Sequence, residues 1–245
     1  MNATKSKVLV ALDVQTIGQA IELVTQVKDY VAGFKVGLEL CMNERTQEVI
    51  ETVSKAGGQL FLDLKFKDIP NTVAGAVRAI CRTGVLMFTV HCDGGVQMMK
   101  AAKEAVKSVK GHHPLIIGVS VLTSLDQQVL QDELHVKDEL TNYAVHLAEL
   151  AKNAGLDGVT CSPYEVAHIK KRCGEKFLTV VPGLRPKWAE AGDQKRVMTP
   201  GEATREGADY LVIGRSITKP PAKIGSPKDA ARLINEEIES CFAAK

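Results

Sequence analysis

Eight short aliphatic runs rich in β-branched residues, alternating with stretches whose apolar residues recur at helical spacing, constrain this chain more than any other feature. The runs are 7–13, 33–38, 59–66, 87–92, 115–122, 158–162, 177–182 and 210–214. Between them, Ile17, Ala20, Ile21, Val24 and Val27 mark one amphipathic stretch, and Tyr143, Leu147, Leu150, Ala151 and Ala154 another. Strands separated by helices pair in parallel through right-handed crossovers. Eight such units in 245 residues, with no glycine-rich linker, predict an α/β protein: one closed (β/α)8 barrel domain spanning 1–245. An open doubly wound sheet also satisfies the strand count, although no G-x-G-x-x-G follows the first run. Thr16 and Asn43 are predicted helix N-caps. Gly57, Gly111, Gly155, Gly174 and Gly207 stand where helices should end.

Charge and cysteine usage narrow the function. Thirty-one basic and 29 acidic side chains leave a net charge of +2, which is no footprint for nucleic acid or an anionic membrane surface. Any anion recognition must therefore be local. Six cysteines form no C-x-x-C pair and no zinc-like spacing, as expected of reduced thiols in a cytoplasmic protein. No run of 18 apolar residues predicts a membrane span, and the first residues lack the pattern of a secretory signal.

In a barrel the chemistry sits at the C-terminal ends of the strands and in the loops that follow. That rule gives many of the polar residues one address. Asp13 ends the first run and Lys35 lies within the second. Asp63 and Lys65 close the third, with Asp68 just beyond. His91 and Asp93 end the fourth, Thr123 and Ser124 follow the fifth, Pro182 to Arg185 follow the seventh, and Gly214 and Arg215 end the eighth. Strand alternation places Asp63 and Lys65 on one face, opposite Leu62 and Leu64. Charges on such a strand are costly unless paired. A structural ion pair would explain an isolated D-x-K-x-x-D equally well. Lys35 turns the set into an alternating series, Lys35, Asp63, Lys65 and Asp68, and the four together are expected to be catalytic. Arg185, Gln194, Arg215 and the Gly214 backbone are expected to form a phosphate site, since barrels commonly bind phosphate after strands seven and eight. The long polar loop 183–196 is expected to act as a lid. His91 is expected to pack or orient, because no metal-ligand set surrounds it in the sequence.

With these residues assembled, the chain resembles the orotidine 5′-phosphate decarboxylase family from Val8 to about Pro220. The most specific match is Asp63-Leu64-Lys65-Phe66-Lys67-Asp68-Ile69-Pro70-Asn71-Thr72, supported by Ala11-Leu12-Asp13, Phe34-Lys35-Val36-Gly37, Val90-His91, Pro182-Gly183-Leu184-Arg185 and Gly214-Arg215. Cys92 departs from it, standing where a smaller residue is expected. The resemblance implies decarboxylation of orotidine 5′-phosphate to UMP, the last step of de novo pyrimidine nucleotide synthesis, without cofactor or metal. It implies a homodimer in which Lys35, Asp63 and Lys65 act in one subunit while Asp68 and Thr72 reach in from the other. Lys65 would protonate C6. Asp13 would hold a ribose hydroxyl, Thr123 would read the pyrimidine edge, and Pro182 would lie beside the ring. Arg185, Gln194, Gly214 and Arg215 would hold the phosphate. Magnesium-dependent sugar-phosphate enzymes of the same superfamily share D-x-K-x-x-D but typically carry an acidic residue in place of Lys35. A non-catalytic sensor of phosphate ligands is the remaining alternative.

Overall fold

The eight apolar runs become eight parallel strands: β1 Val8–Ala11, β2 Gly33–Gly37, β3 Leu60–Phe66, β4 Met87–His91, β5 Leu115–Val119, β6 Gly158–Thr160, β7 Leu178–Val181 and β8 Tyr210–Ile213. This computed structural model describes residues 6–189 and 198–243. The strands pair in sequence order, and β1 meets β8 with Val8 opposite Leu211, so the sheet closes. The open-sheet alternative is thereby excluded. Strands are shorter than several of the runs. The fifth run, for example, leaves the strand after Val119, where the Thr160 carbonyl accepts from the Ser120 hydroxyl at 2.7 Å and from the Ser120 amide only at 3.4 Å.

Alternation divides the core in two. Outward residues such as Val8, Val10, Val36, Leu60 and Leu62 pack under the surrounding helices. Inward residues Leu9, Ala11, Phe61, Met87, Ile117, Val180 and Val212 fill the barrel as a separate apolar plug. Two residues further along the same inward files the character changes: Phe61 leads to Asp63 and Met87 to Thr89. The plug is the floor on which a polar site rests.

Helix boundaries follow local chemistry with one correction. Thr16 caps the helix Ile17–Val27 through a full capping box with Gln19. Asn43 caps nothing: it is the last residue of a short helix, Leu38–Asn43, that begins directly after β2. The next helix, Thr46–Lys55, starts after Arg45. Gly57, Gly155 and Gly207 each follow a helix with positive φ, the backbone region glycine enters most easily. Cys92 is accommodated by Gly118, where any Cβ would lie 2.5 Å from the Cys92 sulfur. Among the described residues no helix is long and apolar enough to cross a membrane.

Two aspartates lock the opposite end of the barrel in the same way. Asp157, just before β6, accepts from Lys103 Nζ at 2.8 Å and from the Ile116 amide at the start of β5 at 2.8 Å. Asp209, just before β8, accepts from Lys170 Nζ at 2.6 Å and from the Thr179 amide of β7 at 2.7 Å. Lys170 is buried and also donates to the Glu175 and Phe177 carbonyls. Asp209→Ala would leave that ammonium buried without its counter-charge, a loss of about 3–5 kcal/mol. Urea unfolding should register it, and Lys170→Met, which removes the charge but keeps the stem, should cost markedly less.

Candidate active site

Parallel register sets the charge arrangement. Lys35 pairs with the plug residues Ala11 and Phe61, and Asp63 stands one inward position further along, opposite Gly37, so the ammonium of the long lysine side chain meets the carboxylate above the plug. Lys65 Nζ lies 2.8 Å from Asp63 Oδ2, and Lys35 Nζ lies 3.9 Å from the same oxygen. Lys35 Nζ also contacts Asp13 Oδ1 at 3.0 Å. Within one chain the alternating series therefore runs Asp13, Lys35, Asp63, Lys65. Asp13 extends the series at its Lys35 end, and the Lys65 end, where Asp68 is expected from a second subunit, carries no Asp68 of the same chain in the cavity lining. Lys35 and Asp63 are largely buried, whereas the Lys65 side chain is 32% exposed and opens into the mouth. Enclosure costs such ion pairs their hydration, a penalty offset only by close geometry and further hydrogen bonds to the same groups.

The strand carrying Lys65 is not regular. Leu62 pairs with Phe88 and Phe66 with Val90, four steps on β3 against two on β4. Lys65 takes φ 53, a left-handed conformation uncommon for a residue with a Cβ. Simple alternation predicted that Asp63 and Lys65 would meet, and they do, but through this bulge. The buried Thr89 hydroxyl bonds both residues, and sequence reading passed over it.

A cavity of about 280 Å³ opens above the plug. Asp13, Lys35, Asp63 and Lys65 line it, as do Arg185, Gly214 and Arg215, and Thr123 and Pro182 contribute to its wall. It thus combines a lysine–carboxylate cluster with two guanidinium groups, a pairing suited to an anionic ligand. Arg185 and Arg215 also border a recess containing Trp188, Lys219 and Lys223. Asp68 and Thr72 are not in the lining; both are exposed, and Asp68 Oδ1 accepts from the Ile69 amide at 2.6 Å. Gln194 lies outside the described residues, as does much of the 183–196 loop.

His91 does not line the cavity. Its Nδ1 is 3.3 Å from Asp93 Oδ1, and Asp93 Oδ2 is 2.7 Å from Lys67 Nζ. Burial holds the imidazole below its ordinary range, assisted by Lys67 and Lys65 and opposed by Asp93 and Asp63. The cluster ties Lys67, next to Asp68, to the end of β4, in keeping with an orienting role.

Comparison with known proteins sets this geometry in context. Residues 6–232 match the sequence profile of the family described as "Orotidine 5'-phosphate decarboxylase / HUMPS family". The chain is 47% identical over 239 residues to an orotidine 5′-phosphate decarboxylase of Moorella thermoacetica, covering 96% of this chain and 93% of that protein. It is 45% identical to the enzyme of the same name from Nostoc sp. over 239 residues, covering 96% and 98%. The crystal structure of orotidine 5′-phosphate decarboxylase from Lactobacillus acidophilus superposes with a TM-score of 0.82 at 35% identity, over 96% of this chain and 99% of that one.

Proposed function

The chain belongs to the orotidine 5′-phosphate decarboxylase / HUMPS family, and on that premise we propose that it is the carboxy-lyase that converts orotidine 5′-phosphate to UMP and CO₂. The observation that carries this choice within the family is Lys35. Its ammonium lies 3.0 Å from Asp13 and 3.9 Å from Asp63, matching with a fixed cation the carboxylates that a metal would otherwise need. The work is cofactor-free and completes de novo pyrimidine nucleotide synthesis. The free thiols support a reducing, cytoplasmic setting.

The reaction breaks the bond between C6 and its carboxylate, and the electron pair stays on C6 as a poorly delocalised carbanion. Lys65 stabilises that charge electrostatically and then delivers its proton to C6, giving UMP. Water restores the lysine proton. Asp63 and Lys35 hold Lys65 in place. Asp13 engages a ribose hydroxyl, Thr123 reads the pyrimidine edge, and Pro182 packs beside the ring. Arg185, Gln194, Arg215 and the Gly214 backbone hold the phosphate, whose binding energy is used to order the site around the reacting ring.

The active form is a homodimer in which Asp68 and Thr72 enter the partner's site. Exposed apolar side chains support it: Leu38, Met42 and Ile69 are 54%, 73% and 68% exposed on segments following β2 and β3. Asp68, beside Ile69, would then face the substrate carboxylate of the other subunit and favour its departure.

Loss of orotate-type ultraviolet absorbance on mixing protein, orotidine 5′-phosphate and EDTA tests the reaction. Rapid formation of UMP is the outcome expected. Inactivity there, with turnover of a sugar phosphate once Mg²⁺ is restored, would move the protein to the other branch of the family. Binding of UMP without any turnover would make it a sensor. Arg215→Ala is expected to lower kcat/KM for the nucleotide by about 100-fold. On orotidine, which lacks the phosphate, the variant should match the wild type.

A further inference from the structure

We propose that Thr89 is a positioning residue that sets Lys65 and Asp63 through a single hydroxyl, a role that rests on the decarboxylase reading above. Thr89 lies on β4, fully buried, in the inward file two residues past Met87. Its Oγ1 accepts from the Lys65 amide at 2.8 Å and lies 3.1 Å from Asp63 Oδ1. A hydroxyl carries one proton. The Lys65 N–H can only donate, so the Thr89 proton points to Asp63. That bond draws Asp63 Oδ1 toward β4 and turns Oδ2 to the side where Lys65 Nζ lies at 2.8 Å and Lys35 Nζ at 3.9 Å. The direction of the carboxylate, and with it the resting place of the ammonium, follows from this one donated proton.

The accepted bond has a second effect. It grips the Lys65 amide where the β3–β4 register slips and φ reaches 53. Such backbone conformations persist where surrounding contacts hold them. One side chain thus fixes both ends of the lysine: the backbone directly, and the ammonium through Asp63. Thr89 itself is absent from the cavity lining, so it acts through these two residues and not on the ligand.

Thr89→Val keeps the branched shape and deletes the hydroxyl. With Lys65 released, kcat on orotidine 5′-phosphate should fall about 100-fold, the scale of a misplacement near 1 Å. KM and UMP affinity should stay within about threefold, because Arg185, Arg215 and Thr123, which line the cavity away from Lys65, are unchanged. Thr89→Ser, which retains the hydroxyl, should restore kcat to within about fivefold of wild type. Should the valine variant not fold, Thr89→Cys, with a weaker donor and acceptor, should lose roughly tenfold in kcat at unchanged UMP affinity. Wild-type kcat in Thr89→Val, equal impairment of the valine and serine variants, or losses in UMP affinity as large as those in kcat would each overturn the role. A wild-type protein with no turnover would bring down the decarboxylase reading and this role with it. An active wild type beside an equally active valine variant would remove this role alone.

Discussion

Lys65→Ala is expected to lower kcat on orotidine 5′-phosphate by on the order of 10⁵, because in the proposed mechanism this one side chain would supply both the charge that stabilises the carbanion and the proton that quenches it. UMP should still bind, since Arg185, Arg215 and Thr123 line the cavity independently of Lys65. Asp63 would keep its bond from Thr89 and its neighbour Lys35, so the variant should fold. Lys65→Arg separates the two contributions. A guanidinium keeps the positive charge but is a far poorer acid, so it should remain severely impaired. Near-wild-type turnover by Lys65→Ala, measured by the same absorbance change, would overturn the role assigned to this lysine.

Asp68→Ala should also be nearly inactive, with kcat reduced about 10³-fold, and mixing it with Lys65→Ala should bring activity back. In a hybrid dimer one site carries both lesions and the other carries neither. Random reassociation makes half of the dimers hybrids, so about a quarter of the sites should be intact. The expectation rests on two facts about the single chain. Asp68 is exposed and absent from the lining of its own chain's cavity, its Oδ1 accepting from the Ile69 amide at 2.6 Å, and Ile69, the next residue, leaves an apolar side chain 68% exposed. Hybrids that form, as mass spectrometry can verify, yet show no activity would mean that Asp68 does not act across an interface.

How far the sequence reveals such a site depends on the distance over which each feature is encoded. The barrel is legible because alternation within each run sorts Phe61 inward and Leu62 outward, and eight repetitions of that sorting leave few topologies. The mouth residues are legible because barrels place chemistry at strand ends. The Asp13–Lys35 contact is less so: it depends on the register between β1 and β2, which no local pattern prints. Thr89 is hidden for a different reason. A threonine in Met87–His91 reads as a β-branched strand former, and only the fold shows that its hydroxyl is spoken for by β3. The left-handed backbone at Lys65 has no sequence signal either, since Leu62 to Phe66 alternates regularly and the bulge comes from pairing with β4. Asn43 failed as a cap because a helix starts at Leu38, directly after the strand, and consumes it.

A crystal structure with UMP bound would show whether Lys65 is placed to protonate C6. The uracil C6 should lie within about 3–3.5 Å of Lys65 Nζ, the near-attack distance for proton transfer. The phosphate should lie against Arg185 and Arg215, and Asp68 of the partner subunit beside Lys65. A nucleotide bound with C6 turned away from Lys65, or with its phosphate on another part of the barrel, would contradict the proposed mechanism.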